Sequence, residues 1–198
     1  MEKKDKKVKS TLSSMILAMV IVSGVAALVL GYVYGITQEP IQKIKDNKEL
    51  EAIAEVVFGE FDNNPFEEKT EITTTDGKDK LVLYPARNGV NISSVAIKTY
   101  TNNGFGGKIE LIVGFFLDGT INAYKVIDHK ETPGLGTKIM EPKFASQFKG
   151  MSPDNELFRV GQDGGEIDAV TGATISSRAV IDAINRAYGA YRKFRTGN

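Results

Sequence analysis

Hydroxyl side chains cluster near the C-terminus, in the segment Asp168-Ala-Val-Thr-Gly-Ala-Thr-Ile-Ser-Ser that precedes the last predicted helix. A hydroxyl in the first turn of a helix can cap a free backbone N–H group. It can equally lie beside a phosphate, because the free N–H groups and the positive end of the helix dipole attract anions. Arg178 is unfavourable at this end of a helix unless an anion is near, although an ion pair with Asp182 would also explain it. The segment therefore predicts either an ordinary helix cap or an anion site.

Two further segments place glycines beside polar and aromatic residues that are common in binding sites. The first is Asn103-Gly-Phe-Gly-Gly-Lys-Ile109, and the second is His129-Lys-Glu-Thr-Pro-Gly-Leu-Gly-Thr-Lys138. Glycine lets the backbone approach a flat ring closely, but it also serves in plain turns, and the pattern alone does not separate the two. Glu131 fits either a pocket or a solvated turn, and His129 is most simply a surface histidine.

Composition excludes several kinds of site. The chain has 198 residues, no cysteine and one histidine. Thiolate-bound zinc, cysteine-ligated iron–sulfur clusters and thiol catalysis all need a sulfur atom, and a multi-histidine metal site is also excluded. The formal net charge is zero, so the chain lacks the basic field that holds nucleic acid. We predict no metal site and no catalytic side chain, and any redox chemistry must depend on an organic cofactor.

The N-terminal region predicts a membrane anchor. Residues 10–38 contain no charged side chain, and residues 12–36 are almost wholly apolar. A helix of this length rises about 1.5 Å per residue, which is enough to cross a hydrocarbon core of roughly 30 Å. A cleaved signal peptide is the alternative, but its apolar stretch is shorter, about 7–15 residues. We therefore predict a single transmembrane helix over residues 11–36, in contact with membrane lipid.

The charges on either side of this span predict its orientation. Five lysines precede the apolar stretch, whereas Glu39 follows it directly. Basic residues remain on the cytoplasmic side of a membrane. We expect residues 1–10 to form a cytoplasmic tail and the large C-terminal part to lie on the periplasmic, or extracytoplasmic, side of the inner membrane.

The remaining residues predict an α+β domain, with a mostly antiparallel sheet and packed helices. Residues 37–62 are interpreted as a juxtamembrane helix or a solvated linker, and residues 63–198 as the folded domain. Two β-rich runs around Asp118-Gly119 predict a tight hairpin, because both central residues can take positive φ. Apolar residues at helical spacing from Val180 to Tyr191 predict a closing amphipathic helix.

The segment ending at Thr174 resembles the flavin-attachment motif of the FMN-binding domain family. That family includes the G subunit of the Rnf electron-transport complex and the C subunit of the sodium-translocating NADH:quinone reductase. The two glycine-containing segments resemble, in the same order, the family's Gly-aromatic-Gly-Gly segment and its flavin-pocket loop, so the resemblance covers nearly the whole chain. Two positions depart from the usual pattern, since Thr171 replaces a serine and Lys108 stands where many relatives have proline.

The resemblance implies that FMN is bound covalently, with its phosphate esterified to Thr174. It also implies a flavin pocket in which Leu135 packs on the ring and Lys138 favours the reduced, anionic flavin. The other residues implied to bind the cofactor are Thr171, Gly172, Ala173, Ser177, Glu131, Thr132, Gly134, Gly136, Thr137, Gly106 and Gly107.

The resemblance further implies an electron-transfer subunit of a membrane oxidoreductase that moves electrons between reduced ferredoxin and NAD and couples this to ion transport. Its partners would be the other membrane subunits of that complex, and a separate flavin transferase would attach the FMN. The short length favours the Rnf-type G subunit over the quinone-reductase subunit, which is the second interpretation. A third interpretation is a membrane-tethered binding domain without a cofactor, in which Thr174 only caps a helix.

Overall fold

The computed structural model describes residues 11–74, 77–153 and 157–197. The predicted cytoplasmic tail, residues 1–10, lies outside this part of the chain. The chain divides into two compact units, with the boundary between Asn47 and Lys48.

The first unit contains the predicted membrane span. Helix α1 begins at Leu12 and ends at Val56, and its N-terminal portion is long and apolar enough to cross a membrane. The large apolar side chains of that portion are exposed. Pro40 lies inside the helix and does not end it, although an interior proline removes one backbone hydrogen bond. The predicted spanning and juxtamembrane segments are therefore not separated by a helix break.

The second unit begins earlier than the predicted folded domain. Residues 48–62, interpreted from the sequence as part of the linker, belong to this unit. The physical reason is burial, since Ala52, Ile53 and Val56 are at most 2% exposed.

One antiparallel sheet forms the centre of the second unit, and its five strands lie in chain order. The strands are β1 (Thr70–Thr73), β2 (Lys80–Asn88), β3 (Asn91–Gly104), β4 (Gly107–Phe116) and β5 (Ile121–His129). The α+β class with an antiparallel sheet is confirmed. Strand β1 has only four residues and a largely exposed pattern, so the sequence offered little signal for it.

The β4–β5 hairpin forms around Asp118-Gly119 as predicted, but the conformation of its turn differs. Gly119 has φ of 95°, and no other residue type in the described chain has positive φ. The Asp118 carboxylate instead accepts hydrogen bonds from the backbone N–H and the hydroxyl of Thr120, at 2.9 and 2.7 Å. The strands are joined by four residues, not two, and this longer turn needs positive φ at only one position.

Both faces of the sheet are covered, because neighbouring residues in a strand point to opposite sides. On one face, the closing helix α3 (Thr174–Thr196) packs over a large apolar core that includes Val95, Phe115 and Tyr191. On the other, residues of the C-terminal end of α1 pack with Tyr84 and Ala96 in a smaller cluster. The short helix α2 (Pro142–Ala145) lies between β5 and α3 in the chain.

Candidate functional site

Thr174 is the first residue of α3, and its hydroxyl makes no hydrogen bond within the described part of the chain. Ala173 occupies the N-cap position, and no side chain caps the helix. The N–H groups of Thr174, Ile175 and Ser176 have no acceptor among the described residues; the first to bond is that of Ser177, to the Ala173 carbonyl at 3.0 Å. The interpretation of Thr174 as a helix cap is therefore wrong. A half-buried hydroxyl and three free N–H groups lie at the positive end of a 23-residue helix.

A cavity of about 350 Å³ opens at this end of α3. Its walls come from the β3–β4 turn, from residues 131–136 and from residues 172–176. Phe105, Leu135 and Ile175 supply partly exposed apolar walls, and Thr174 is also in the lining. The volume lies within the range of small-molecule sites, roughly 300–1,000 Å³, which combine apolar walls with a few polar groups.

Glu131 joins the three segments that form the cavity. The residue is 4% exposed; Oε1 of its carboxylate accepts a hydrogen bond from the Gly106 N–H at 3.0 Å, and Oε2 accepts one from the Ser176 hydroxyl. Its backbone N–H donates to Nδ1 of His129 at 3.2 Å. Burying a carboxylate is unfavourable unless it is hydrogen-bonded, so these donors are what allow Glu131 to lie here. Because Glu131 is buried, its interpretation as a solvated turn residue is wrong, and its role in binding a cofactor stays a prediction.

Two glycines make this close packing possible. A Cβ atom on Gly106 would lie 1.8 Å from the Lys130 carbonyl oxygen, and one on Gly136 would lie 2.5 Å from Oε2 of Glu131. No side chain fits at either distance, so the backbone of both residues packs directly on the Glu131 segment. Gly106 thus supports the cavity from behind and is not part of its lining.

The cavity brings together half of the residues expected to bind the cofactor. The lining residues from that set are Glu131, Thr132, Leu135, Gly136, Gly172, Ala173 and Thr174.

The other expected residues lie outside this lining. Thr171 and Lys138 line a second cavity of about 520 Å³. The Gly134 N–H donates to the Thr137 hydroxyl at 2.9 Å, which closes the loop on itself. Ser177 is buried, and its hydroxyl accepts from the Val170 N–H at 3.0 Å.

Gly106 and Gly107 belong to the β3–β4 hairpin, where Gly107 pairs with Gly104. The sequence left open whether these glycines contact a ring or form a turn, and in the structure they form a turn.

Three lining residues were missing from the expected set: Phe105, Ile175 and Ser176. Phe105 is 69% exposed at the tip of the β3–β4 hairpin, where it borders the cavity. An aromatic residue between glycines was the available signal for it. Ser176 had no such signal, because its partner Glu131 is 45 residues away in the chain.

Arg178, also in the N-terminal part of α3, forms a two-pronged ion pair with Asp163. Its Nε and Nη2 atoms lie 2.7 Å from the two carboxylate oxygens. This hydrogen-bonded guanidinium lowers the pKa of the Asp163 carboxyl from its ordinary value. Asp182 instead accepts hydrogen bonds from Thr101 at 2.6 Å and Asn103 at 3.2 Å. The alternative pairing of Arg178 with Asp182 is therefore wrong.

Comparison with known proteins shows the family to which the chain belongs. Residues 104–189, which include Phe105, the Glu131 loop and the start of α3, match the FMN-binding domain family. The chain is 35% identical over 181 residues to the G subunit of the ion-translocating oxidoreductase complex of Methanosarcina acetivorans, across 89% of this chain and 92% of that protein. It is 34% identical over 162 residues to the corresponding protein of Vibrio cholerae, across 78% of each.

The fold is also found in two solved structures. NqrC of Shewanella oneidensis has a TM-score of 0.57 and 19% identity, over 78% of this chain and 98% of that one. The C subunit of the Na⁺-translocating NADH-quinone reductase of Parabacteroides distasonis has a TM-score of 0.58 and 18% identity, over 81% and 98%. At these identities the similarity concerns the fold.

The cavity at the start of α3 lies within the part of the chain that matches the FMN-binding domain family. The chain belongs to the family formed by the G subunits of ion-translocating oxidoreductase complexes.

Proposed function

We propose that this chain is an electron-transfer subunit of a membrane ion-translocating oxidoreductase complex of the Rnf type. FMN would occupy the cavity at the start of α3, with its phosphate esterified to Thr174. The observation that carries this proposal is the Thr174 hydroxyl, which lines the cavity beside three free N–H groups and has no described hydrogen-bond partner.

The residues present fit FMN in two respects. Phe105, Leu135 and Ile175 offer apolar surface suited to a flat ring, and the first N–H groups of α3 offer donors suited to a phosphate. FMN, when bound, supplies the capacity to accept and release electrons at biological potentials. Glu131 holds the β3–β4 turn and the start of α3 together, so that both walls keep their positions. The protein's own contribution is therefore to bind and orient.

Attachment requires a simple exchange at phosphorus. The Thr174 Oγ1 would form a bond to the phosphorus of a flavin donor, and the bond from that phosphorus to its leaving group would break. The hydroxyl proton would depart with the leaving group, and no electrons are exchanged. A separate flavin transferase would provide the donor and the catalysis, since the lining of the cavity contains Glu131 as its only ionisable side chain.

The N-terminal part of α1 would anchor the subunit in the cytoplasmic membrane, with residues 1–10 in the cytoplasm and the FMN domain outside it. The five lysines before the apolar stretch support this orientation. Outside the cell's FMN pool, a dissociable cofactor would be lost by dilution, whereas an ester is retained. Because the chain has no native cysteine, a cysteine placed at exposed Lys69 tests the orientation. It should react with a membrane-impermeant maleimide on intact spheroplasts, and reaction only after lysis would contradict the orientation.

The attachment site is tested with a matched pair of variants, Thr174→Val and Thr171→Val. Each is expressed with a flavin transferase, denatured and run on a gel that is examined for flavin fluorescence. Thr174→Val should remove the fluorescence completely, and intact-mass analysis should show no flavin phosphate. Thr171→Val makes the same change three residues earlier, at a residue that lines the second cavity. This variant should keep most of the flavin fluorescence.

Fluorescence retained by Thr174→Val would contradict the attachment site. An unlabelled wild-type chain, expressed with an active transferase, would contradict covalent attachment itself.

A further inference from the structure

We propose that Arg178 is the cation that neutralises the flavin phosphate on Thr174, and that Asp163 holds Arg178 in place until the phosphate arrives. This inference rests on the proposed esterification of Thr174. In this proposal Arg178 positions the flavin phosphate during attachment, and its ion pair with Asp163 is replaced by one with the phosphate.

The first argument is the position of Arg178 along the helix. Residues four apart on a helix are neighbours on its surface, so Arg178 lies directly after Thr174 on the same side of α3. Long side chains in a helix lean toward its N-terminus and cover the preceding turn. In the structure the guanidinium is turned to Asp163, and the two side chains line a separate cavity. To reach a group attached to Thr174, the Arg178 side chain would turn back over the first turn of the helix.

The second argument is charge. The lining of the Thr174 cavity contains one ionisable side chain, Glu131, which is an acid, and it contains no lysine or arginine. A phosphodiester placed there adds a further negative charge beside a buried carboxylate. The helix N-terminus offers only partial positive charge, so a nearby full cation would stabilise the phosphate further. Arg178 is the basic residue in the first two turns of α3.

The third argument is the environment of Arg178 in the unmodified chain. A cation near the positive end of a helix is unfavourable, and the bidentate bond to Asp163 offsets this. Both side chains of the pair are substantially exposed, at 47% and 41%, and exposed ion pairs contribute little to stability. Exchanging Asp163 for a phosphate therefore costs little. The planar guanidinium binds carboxylate and phosphate in the same two-pronged manner, so one side chain serves both partners.

The experiment compares Arg178→Gln with Asp163→Asn in the full-length chain. Both variants abolish the same ion pair, so any purely structural effect is common to them. The initial rate of flavin attachment is measured with purified flavin transferase and its flavin donor, by in-gel fluorescence over time. Arg178→Gln should lower the rate about ten- to a hundredfold, the loss expected for a charge-assisted hydrogen bond. Asp163→Asn should label at least as fast as the wild type, because its arginine is free for the phosphate.

A second measurement separates phosphate contact from transferase recognition. Chains labelled to completion are compared by ³¹P NMR in the native state. The phosphodiester resonance should move in Arg178→Gln and keep its wild-type position in Asp163→Asn. Arg178→Lys should recover part of the attachment rate, since it keeps the charge but loses the two-pronged geometry.

The results that overturn the inference are distinct from those that overturn the proposed function. Equal attachment rates for Arg178→Gln and the wild type would overturn the inference, and so would equal losses in Arg178→Gln and Asp163→Asn. A ³¹P resonance unaffected by Arg178→Gln would also overturn it. A wild-type chain that takes no label would instead overturn the esterification of Thr174.

Discussion

The two faces of the central sheet are stabilised differently. The face under α3 is dominated by a large apolar core in which Phe115, Phe148 and Ile139 are fully buried. Thr99 and Thr101, which are also buried, donate hydrogen bonds to α3. The face under the end of α1 has a small apolar cluster and a buried polar group, in which the Glu49 carboxylate accepts hydrogen bonds from the Tyr84 hydroxyl and the Lys98 ammonium.

The difference follows from what each covering element must do. Helix α3 carries Thr174 at its first residue, and a large apolar contact keeps that helix end fixed relative to the Glu131 loop. The end of α1 has few apolar residues to bury, and polar contacts set its position instead. The Asn122 amide donates to the Val56 carbonyl at 2.8 Å, and a Cβ on Gly114 would lie 1.9 Å from that same oxygen. Apolar packing therefore gives the stability, and hydrogen bonds specify where the end of α1 docks.

The largest effect should come from the apolar face. Phe115→Ala removes a fully buried ring that contacts Tyr188 and Tyr191 of α3, at centroid distances of 6.1 and 5.1 Å. We expect the free energy of unfolding to fall by about 3–5 kcal/mol. Chemical denaturation of the full chain in detergent measures this. A loss below about 1 kcal/mol would mean that α3 is not held by this core.

A smaller effect is expected on the polar face. Lys98→Met leaves the Glu49 carboxylate, 9% exposed, with the Tyr84 hydroxyl as its remaining donor. The free energy of unfolding should fall by about 1–3 kcal/mol, because a buried acceptor loses its charged partner. Combining Lys98→Met with Glu49→Gln removes the unbalanced charge and should recover part of the loss. If the double variant is as unstable as the sum of the two single variants, Glu49 and Lys98 are not coupled.

The smallest expected effect is on how the free energy of unfolding depends on pH in the alkaline range, where one buried tyrosine from each face contributes. Burial raises the pKa of Tyr84 on the α1 side and of Tyr124 on the α3 side, and the Glu49 hydrogen bond raises that of Tyr84 further. In the unfolded chain a tyrosine ionises near pH 10, whereas these two stay protonated when folded. The folded state then binds more protons, so stability falls as pH rises above about 10 and is unaffected by these groups below it.

Tyr84→Phe and Tyr124→Phe should each make that decline shallower, by up to about 1.4 kcal/mol per pH unit. Unfolding free energies at pH 9, 10 and 11, taken as differences from the wild type, measure the change. If the free energy of unfolding of these variants falls with pH as steeply as that of the wild type, the two tyrosines have the same pKa in the folded and unfolded states.

Much of this protein was predictable from local patterns. A long uncharged apolar stretch predicts a membrane-spanning helix, and turn residues between β-rich runs predict a hairpin. The hydroxyl segment around Thr174 and the loop at Glu131 directed attention to the segments that form the cavity. Pro40 was less informative, since α1 continues through it, and the polar strand β1 offered no periodic pattern.

The sequence by itself determined the class of chemistry, a helix long and apolar enough to cross a membrane, the hairpin and the hydroxyl at the start of the last helix. These depend on residue type and on neighbours a few positions away. Only the tertiary structure decided which groups meet at the site. Gly106, Glu131 and Ser176 come together across the fold, and Arg178 pairs with Asp163, not with Asp182. Such pairings depend on how strands and helices pack in three dimensions, and the spacing of residues along the chain does not show which of them will meet.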